Sequence, residues 1–297
     1  MKHPMSAPPR SPATADQLRP GDPYELSEGR LVECLPTGRR GGRSNLVGGE
    51  VLDTDPAVEA AGVDIGISPR PEMLRAPDLV VGNIPDEPGW ATAAPPLAVE
   101  YADTGQDEAE LQRKIEELLA AGARWVWVVR LHGTRRVEVH EATPDAPEPD
   151  APASATHAAP APFPARATPP LAPAARAAAR AWPQVRQPAR VAVAGETLEA
   201  PGVLRNAVPV EALYDRRAAH EATLRNLLQR KGYDGLDAVL DEGRKQGRAA
   251  GLRAAVRDLC ELLGITLSPD REASLGAMDE AALGALREHL KRDRRWP

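Results

Sequence analysis

Two carboxylates and one lysine have the residue types and the spacing for metal chemistry. Asp78 follows Pro77 at the head of one apolar run, Glu100 ends the next apolar run, and Lys114 lies in the helix predicted after it. Adjacent strands bring such carboxylates together, and a hard cation such as Mg²⁺ or Mn²⁺ prefers oxygen ligands. The cation polarises a phosphate and acidifies a water, while a lysine orients that water or stabilises developing charge. The set therefore indicates metal-assisted cleavage of a phosphodiester.

Each of the three residues also has a simpler interpretation when it is taken alone. An Asp after a proline is commonly a turn or strand-entry residue. A Glu at the end of a strand is commonly solvated, and Lys114 could form a surface pair with Glu110, four residues earlier on the same helix face. Their joint occurrence in this order favours the metal site, with Asp78 and Glu100 as the metal ligands.

Alternating and continuous apolar runs predict an α/β domain around these residues. A helix between two strands predicts a crossover unit, and the continuous run Trp125–Val129 predicts a buried central strand. The predicted strands are a hairpin at 24–26 and 30–35, then 63–67, 78–81, 97–100, 124–130 and 135–141. The predicted helices are 45–52, 56–61 and 107–121, and a Gly/Arg-rich loop is expected at 38–43.

A proline- and alanine-rich stretch interrupts this pattern. Thr143 to Arg190 contains 12 prolines and 17 alanines, so it cannot bury enough apolar area to offset the entropy of ordering. Beyond it, 190–194 and 197–204 suggest a hairpin, and 208–214 suggests a closing segment. The remainder predicts helices at 215–229, 236–263, 269–277 and 280–292, with Ser268 and Pro269 as a helix start.

Several of these motifs, in this order, resemble the Uma-type putative restriction endonuclease family of the PD-(D/E)xK nuclease superfamily. The likeness rests on runs spread from Asp22 to Glu141 and resumes at Gly195 to Tyr214. The runs are Tyr24–Leu26, Gly29–Glu33, Arg75–Asp78, Leu97–Glu100, Lys114 and Trp125–Val129. The resemblance implies a restriction-endonuclease-like mixed β-sheet flanked by helices, followed by an all-helical C-terminal tail.

The resemblance also implies roles for four residues. Asp78 and Glu100 would hold Mg²⁺ or Mn²⁺, Lys114 would be the catalytic lysine on a helix, and Glu33 would be a further acid on the first hairpin. The superfamily's usual lysine, two residues after the second acid, is replaced by Ala102. For Glu33, a polar residue on the open face of a hairpin is an equally good interpretation.

The resulting domain organisation has five parts. We expect an N-terminal arm at 1–21, a nuclease-like core at 22–142, a disordered insertion at 143–189, closing strands at 190–214 and a helical tail at 215–297. Gly243, Gly247 and Gly251 beside an apolar stripe suggest that the tail self-associates into a homo-oligomer.

Composition excludes several other classes. A net charge of -6 argues against a protein that coats DNA by charge alone, and Cys34 and Cys260 cannot build a disulfide framework or a cysteine zinc site. The six histidines show no paired metal spacing. No apolar run suits a signal peptide or a membrane span, so we expect a cytoplasmic protein.

Two functions from different classes follow. The first is a metal-dependent endonuclease acting on DNA. The second is a catalytically weak or inactive nuclease-fold protein that binds DNA or oligomerises, which Ala102 and the acidic net charge favour. Arg residues at 38–43 could contact backbone phosphates, although a solvated turn accounts for them as well.

Overall fold

The computed structural model describes residues 12–82, 84–142 and 186–297. Residues 1–11 of the expected N-terminal arm and residues 143–185 of the expected proline-rich insertion lie outside the described residues. The chain divides into two units, of which the first ends at Thr223 and the second runs from Leu224 to Pro297.

A six-stranded mixed sheet forms the centre of the first unit, with strand order β3-β4-β5-β6-β7-β8. Its strands are β3 (Ala61–Val63), β4 (Leu79–Val81), β5 (Leu97–Ala102), β6 (Trp125–Arg130), β7 (Arg136–Glu141) and β8 (Arg190–Val193). The β5–β6 pair is parallel and the other four pairs are antiparallel. A parallel pair needs a crossover, which α2 (Glu108–Ala120) supplies as predicted.

The two faces of the sheet pack against different helices. On β5, Leu97, Val99 and Tyr101 belong to the core that α1 (Arg39–Asp53) covers, whereas Ala98 and Ala102 belong to the core that α2 covers. This division follows from the two-residue period of a strand, because neighbouring side chains point to opposite faces. Glu100 has the same parity as Ala98 and Ala102, so it faces α2.

Two smaller sheets flank the central one. In the predicted hairpin, β1 (Tyr24–Ser27) pairs with β2 (Arg30–Glu33), and Glu28 and Gly29 both have positive φ (49° and 74°). Positive φ at both central residues is the geometry of a tight hairpin turn. The second small sheet pairs β9 (Thr197–Leu198) with β10 (Val208–Pro209). Short 3₁₀ helices occupy Ala15–Gln17 and Val210–Leu213.

Several local predictions are wrong. The strand expected at 63–67 is replaced by β3 at Ala61–Val63. The Gly/Arg-rich segment is the first turn of α1, which begins at Arg39, because Arg40 binds the Leu131 carbonyl and Asp103. Turns replace the helix expected at 56–61. The segments at 190–194 and 197–204 do not pair with each other, because β8 extends the sheet beside β7 and β9 pairs with β10. Long-range partners accompany the first turn of α1 and the pairing of β8 and β9, and the local periodicity of a sequence does not reveal such partners.

The C-terminal region is helical, as predicted. Its helices are α3 (Arg216–Arg230), α4 (Leu236–Leu262), α5 (Pro269–Ala277) and α6 (Glu280–Asp293). Ser268 caps α5 by accepting a hydrogen bond from the Arg271 N–H, with Pro269 in the first turn. In the second unit, Val256, Cys260 and Leu290 form part of a small apolar core. Among the described residues, no helix is both long enough and apolar enough to cross a bilayer.

Candidate active site

The pairing of β4 with β5 places the two predicted metal ligands opposite each other. Leu79 pairs with Val99 in this antiparallel ladder, so the register continued by one residue sets Asp78 against Glu100. Side chains directly opposite in an antiparallel pair have Cβ atoms about 4.5–5.5 Å apart. The structure thus brings together two carboxylates that are distant in the sequence.

Two hydrogen bonds hold the Asp78 carboxylate. The Tyr101 N–H donates to Oδ2 at 2.6 Å, and Nδ2 of Asn45, on α1, donates to Oδ1 at 3.1 Å. Asp78 precedes the first residue of β4, and its side chain therefore lies at the end of the sheet, where α1 can reach it. The proline before it fixes the entry into the strand.

Lys114 approaches the same carboxylates from α2. Leu111, Ile115 and Leu118 bury one face of this helix against the sheet, and Lys114, beside Ile115, carries its ammonium group to the strand end. Its Nζ lies 2.7 Å from Glu100 Oε1. The alternative of a surface pair with Glu110 is wrong, because the Lys114 side chain is only 13% exposed and its ion pairs within the described residues are with Glu25 and Glu100.

Lys114 also contacts Glu25 on β1 and the Ala76 carbonyl in the segment before Asp78. Lys114 Nζ lies 3.0 Å from Glu25 Oε1 and donates to the Ala76 carbonyl oxygen at 2.8 Å. Of the three donors of the ammonium group, one goes to the Ala76 carbonyl, and the two carboxylates form ion pairs with it. Glu25 therefore fixes the position of the lysine, although the sequence pattern alone identified it only as part of a strand motif.

The fully buried side chain of Arg75 forms an ion pair with Glu25. Arg75 Nη1 lies 3.0 Å from Glu25 Oε2, Nη2 lies 2.9 Å from Glu110 Oε1, and Nε donates to Glu117 Oε2. Ser27 also donates to Glu117, at 2.8 Å. This network ties the hairpin and α2 to the segment that precedes Asp78, so it sets the geometry of the whole cluster.

Burial and charge shift the pKa values of the cluster in a consistent pattern. Burial raises the pKa of Glu100 to about 8; Asp78 and Glu25 add to this effect and Lys114 opposes it. Burial also raises the pKa of Glu25, but the charges of Lys114 and Arg75 outweigh it and the pKa is lowered. For Lys114, burial lowers the pKa, but Glu100 and Glu25 outweigh it and the pKa is raised. The lysine therefore stays cationic near neutral pH, and burial makes ionisation of Glu100 less favourable than that of an exposed glutamate.

A further acid lies close to Asp78. Burial and the charge of Asp78 raise the pKa of Asp64, whose backbone has a positive φ of 52°. Positive φ is uncommon for a residue other than glycine. No sequence signal pointed to Asp64 beyond its position in an alternating segment.

The structure does not bring Glu33 to the cluster. Glu25 pairs with Val32 and Tyr24 pairs with Glu33, so the Glu33 side chain points to the opposite face of the hairpin from Glu25. Glu33 is exposed there. Ala102, two residues after Glu100, is buried in the core beneath α2. Lys114 instead reaches Glu100 from that helix.

The donor set suits a hard divalent cation. Asp78 and Glu100 offer carboxylate oxygens, and Mg²⁺ is commonly held by one or two carboxylates together with waters. A cation here would compete with the proton on Glu100. In the part of the chain that the structure describes, no three His, Cys, Asp or Glu side chains form a group that could hold one metal ion.

Comparisons with known proteins agree with the predicted resemblance. The model of the Uma2 family, described as "Putative restriction endonuclease", matches residues 12–164. A solved structure, described as a putative nuclease belonging to DUF820 from Anabaena variabilis ATCC 29413, is similar at 17% identity with a TM-score of 0.37. The similarity covers 44% of this chain and 81% of that one. A search of curated proteins gave no match. The family match and the mixed sheet flanked by helices confirm the predicted family and fold class.

Proposed function

Because the chain belongs to the Uma2 family of putative restriction endonucleases, we propose that it is a metal-dependent endonuclease that hydrolyses phosphodiester bonds in DNA. The family description supports a nuclease function. The metal, the DNA substrate and the residue roles are our proposal. The observation that carries it is the contact of 2.7 Å between Lys114 Nζ and Glu100, the residue set opposite Asp78 by the strand register.

In this proposal Asp78 and Glu100 hold Mg²⁺ or Mn²⁺. The bound ion would neutralise charge on the phosphate and lower the pKa of water. Asp78 is already oriented by the Tyr101 N–H and Asn45, so little reorganisation is needed for binding. Glu100 binds a cation in its ionised form, which burial disfavours and the nearby Lys114 charge favours.

Lys114 acts as a fixed positive charge and hydrogen-bond donor. Its raised pKa excludes it as a general base near neutral pH, because it would have to be deprotonated for that role. A buried ammonium beside the scissile phosphate would orient the attacking water and stabilise developing negative charge. Glu25 and the Ala76 carbonyl keep it at that place.

Cleavage assays test the proposal. Purified full-length protein is incubated with supercoiled plasmid, single-stranded DNA and RNA in Mg²⁺, Mn²⁺ or EDTA. We expect cation-dependent cutting of DNA that falls at least about 100-fold in Asp78→Asn and Lys114→Met, the scale for removing one electrostatic group. Glu33→Gln is the matched control, since that acid faces away from the cluster, and it should cut normally. Cutting that survives in both site variants would refute the assigned site.

A second candidate is a DNA-binding protein of the same fold with little or no cleavage. Two observations favour it: Lys114 Nζ lies within 3.0 Å of three protein oxygens, and the described residues hold no three-acid metal group. Gel-shift binding of DNA without cutting in either cation would support this candidate over the first.

Self-association through the C-terminal helices stays a prediction, and light scattering of the full chain tests it.

A further inference from the structure

Asn45 has a buried acceptor that no described residue satisfies. The residue is only 9% exposed, and its Nδ2 donates to Asp78. Its Oδ1 is inaccessible and accepts no hydrogen bond from the residues that the structure describes. Buried polar atoms in folded proteins nearly always have a partner, so this one calls for a physical reason.

The orientation of the amide follows from its neighbour. An ionised Asp78 can only accept hydrogen bonds, so the Asn45 nitrogen must face it and the oxygen must point elsewhere. Exchanging the two atoms would set an oxygen lone pair against a carboxylate oxygen. The unsatisfied Oδ1 is bonded to the same carbon as the nitrogen that contacts Asp78, and it therefore lies close to the Asp78 carboxylate.

Close packing of α1 on the sheet places Asn45 there. Gly48, one helical turn later, has no room for a Cβ, which would lie 2.0 Å from the Tyr101 hydroxyl oxygen. That hydroxyl donates to the Leu213 carbonyl and is held in place. The helix can therefore approach β5 closely, and the approach carries Asn45 to the end of the strand.

We propose that Asn45 Oδ1 is the third protein oxygen of the divalent-cation site, beside Asp78 and Glu100. This inference rests on the proposed function and adds a residue to it. Amide oxygens are accepted ligands for hard cations. The site would then consist of two acids and one amide. A purely structural asparagine would use Nδ2 alone.

Mn²⁺ binding to the full-length protein, measured by calorimetry, tests the role without depending on cleavage. Asn45→Ala removes both the donor to Asp78 and the acceptor, and we expect Mn²⁺ affinity to fall about 10- to 100-fold. Asn45→Asp removes the donor but keeps an oxygen at the same place, and it should bind at least as tightly as the wild type. If Asn45 served only to orient Asp78, both variants would lose affinity alike.

Three control variants isolate the effects of charge, helix packing and the Asp78 carboxylate. Leu46→Asp adds the same charge on the exposed side of α1, so it measures the effect of charge alone and should bind less tightly than Asn45→Asp. Val47→Ala loosens the packing of the helix and should leave affinity within about twofold of the wild type. Asp78→Asn should abolish binding.

The outcomes distinguish this inference from the proposed function. A wild-type protein that binds no Mn²⁺ would overturn both. Binding that needs Asp78 but is unchanged in Asn45→Ala would overturn only the role of Asn45. Equal gains in Asn45→Asp and Leu46→Asp would also overturn it, because charge alone would then account for the gain.

Discussion

Replacing Arg75 with Met should destabilise the first unit strongly. Arg75 is 0% exposed and contacts the carboxylates of Glu25, Glu110 and Glu117. Removing one partner of a buried ion pair costs about 3–5 kcal/mol because it leaves uncompensated charge. Each carboxylate here keeps another partner, such as Lys114 for Glu25. We therefore expect a loss near the lower end, about 3 kcal/mol in the free energy of unfolding.

Urea unfolding followed by tryptophan fluorescence measures this loss, since Trp125 and Trp127 are buried in the central sheet. Arg217→Met is the matched control. Its pair with Glu221 is largely exposed, with side-chain exposures of 90% and 72%, and such pairs contribute about 0–1 kcal/mol. A loss below about 1 kcal/mol in Arg75→Met would refute the view that this arginine organises the hairpin and α2.

Three other changes test separate features of the fold. Gly48→Ala should lower the free energy of unfolding by about 1–3 kcal/mol, because the added methyl overlaps the held Tyr101 hydroxyl; an unchanged urea midpoint would contradict it. Burial lowers the pKa of His140 to about 4, so its contribution to stability is complete above pH 6.5 and falls by up to about 3 kcal/mol as pH drops towards 4. His140→Phe should remove that part of the pH dependence in urea titrations, and an identical pH profile would count against it. Asp55→Ala should cost about 2–4 kcal/mol in the same assay, because the buried Asp55 carboxylate accepts both N–H groups of residues 205–206 at 2.8 and 3.0 Å; a loss under about 0.5 kcal/mol would show that these bonds contribute little.

Sequence patterns predicted most of the helices and strands because the interactions that form them involve residues close together in the sequence. Residues 97–99 and 125–129 are continuous apolar runs, and α2 has an apolar stripe with Asp107 as its cap. Ser268 and Pro269 begin α5 where the capping rule expects it. These signals involve neighbours within a few residues, so one sequence contains them in full.

The pairing of distant segments could not be predicted in the same way. Strand β8 joins β7 rather than its sequence neighbour β9, and the first turn of α1 forms where a loop was expected. Loop closure and long-range contacts decide such choices, because local propensity differs by only about 1 kcal/mol or less per residue.

The candidate site divides along the same line. The types of these residues and their order along the chain were enough to point to Asp78, Glu100 and Lys114. The tertiary structure alone decided that Lys114 contacts Glu25 and not Glu110, and that Glu33 faces away. Buried charges must find partners across space, and the identity of those partners depends on which elements pack together. The sequence determined which groups could do the chemistry, and packing decided which of them meet.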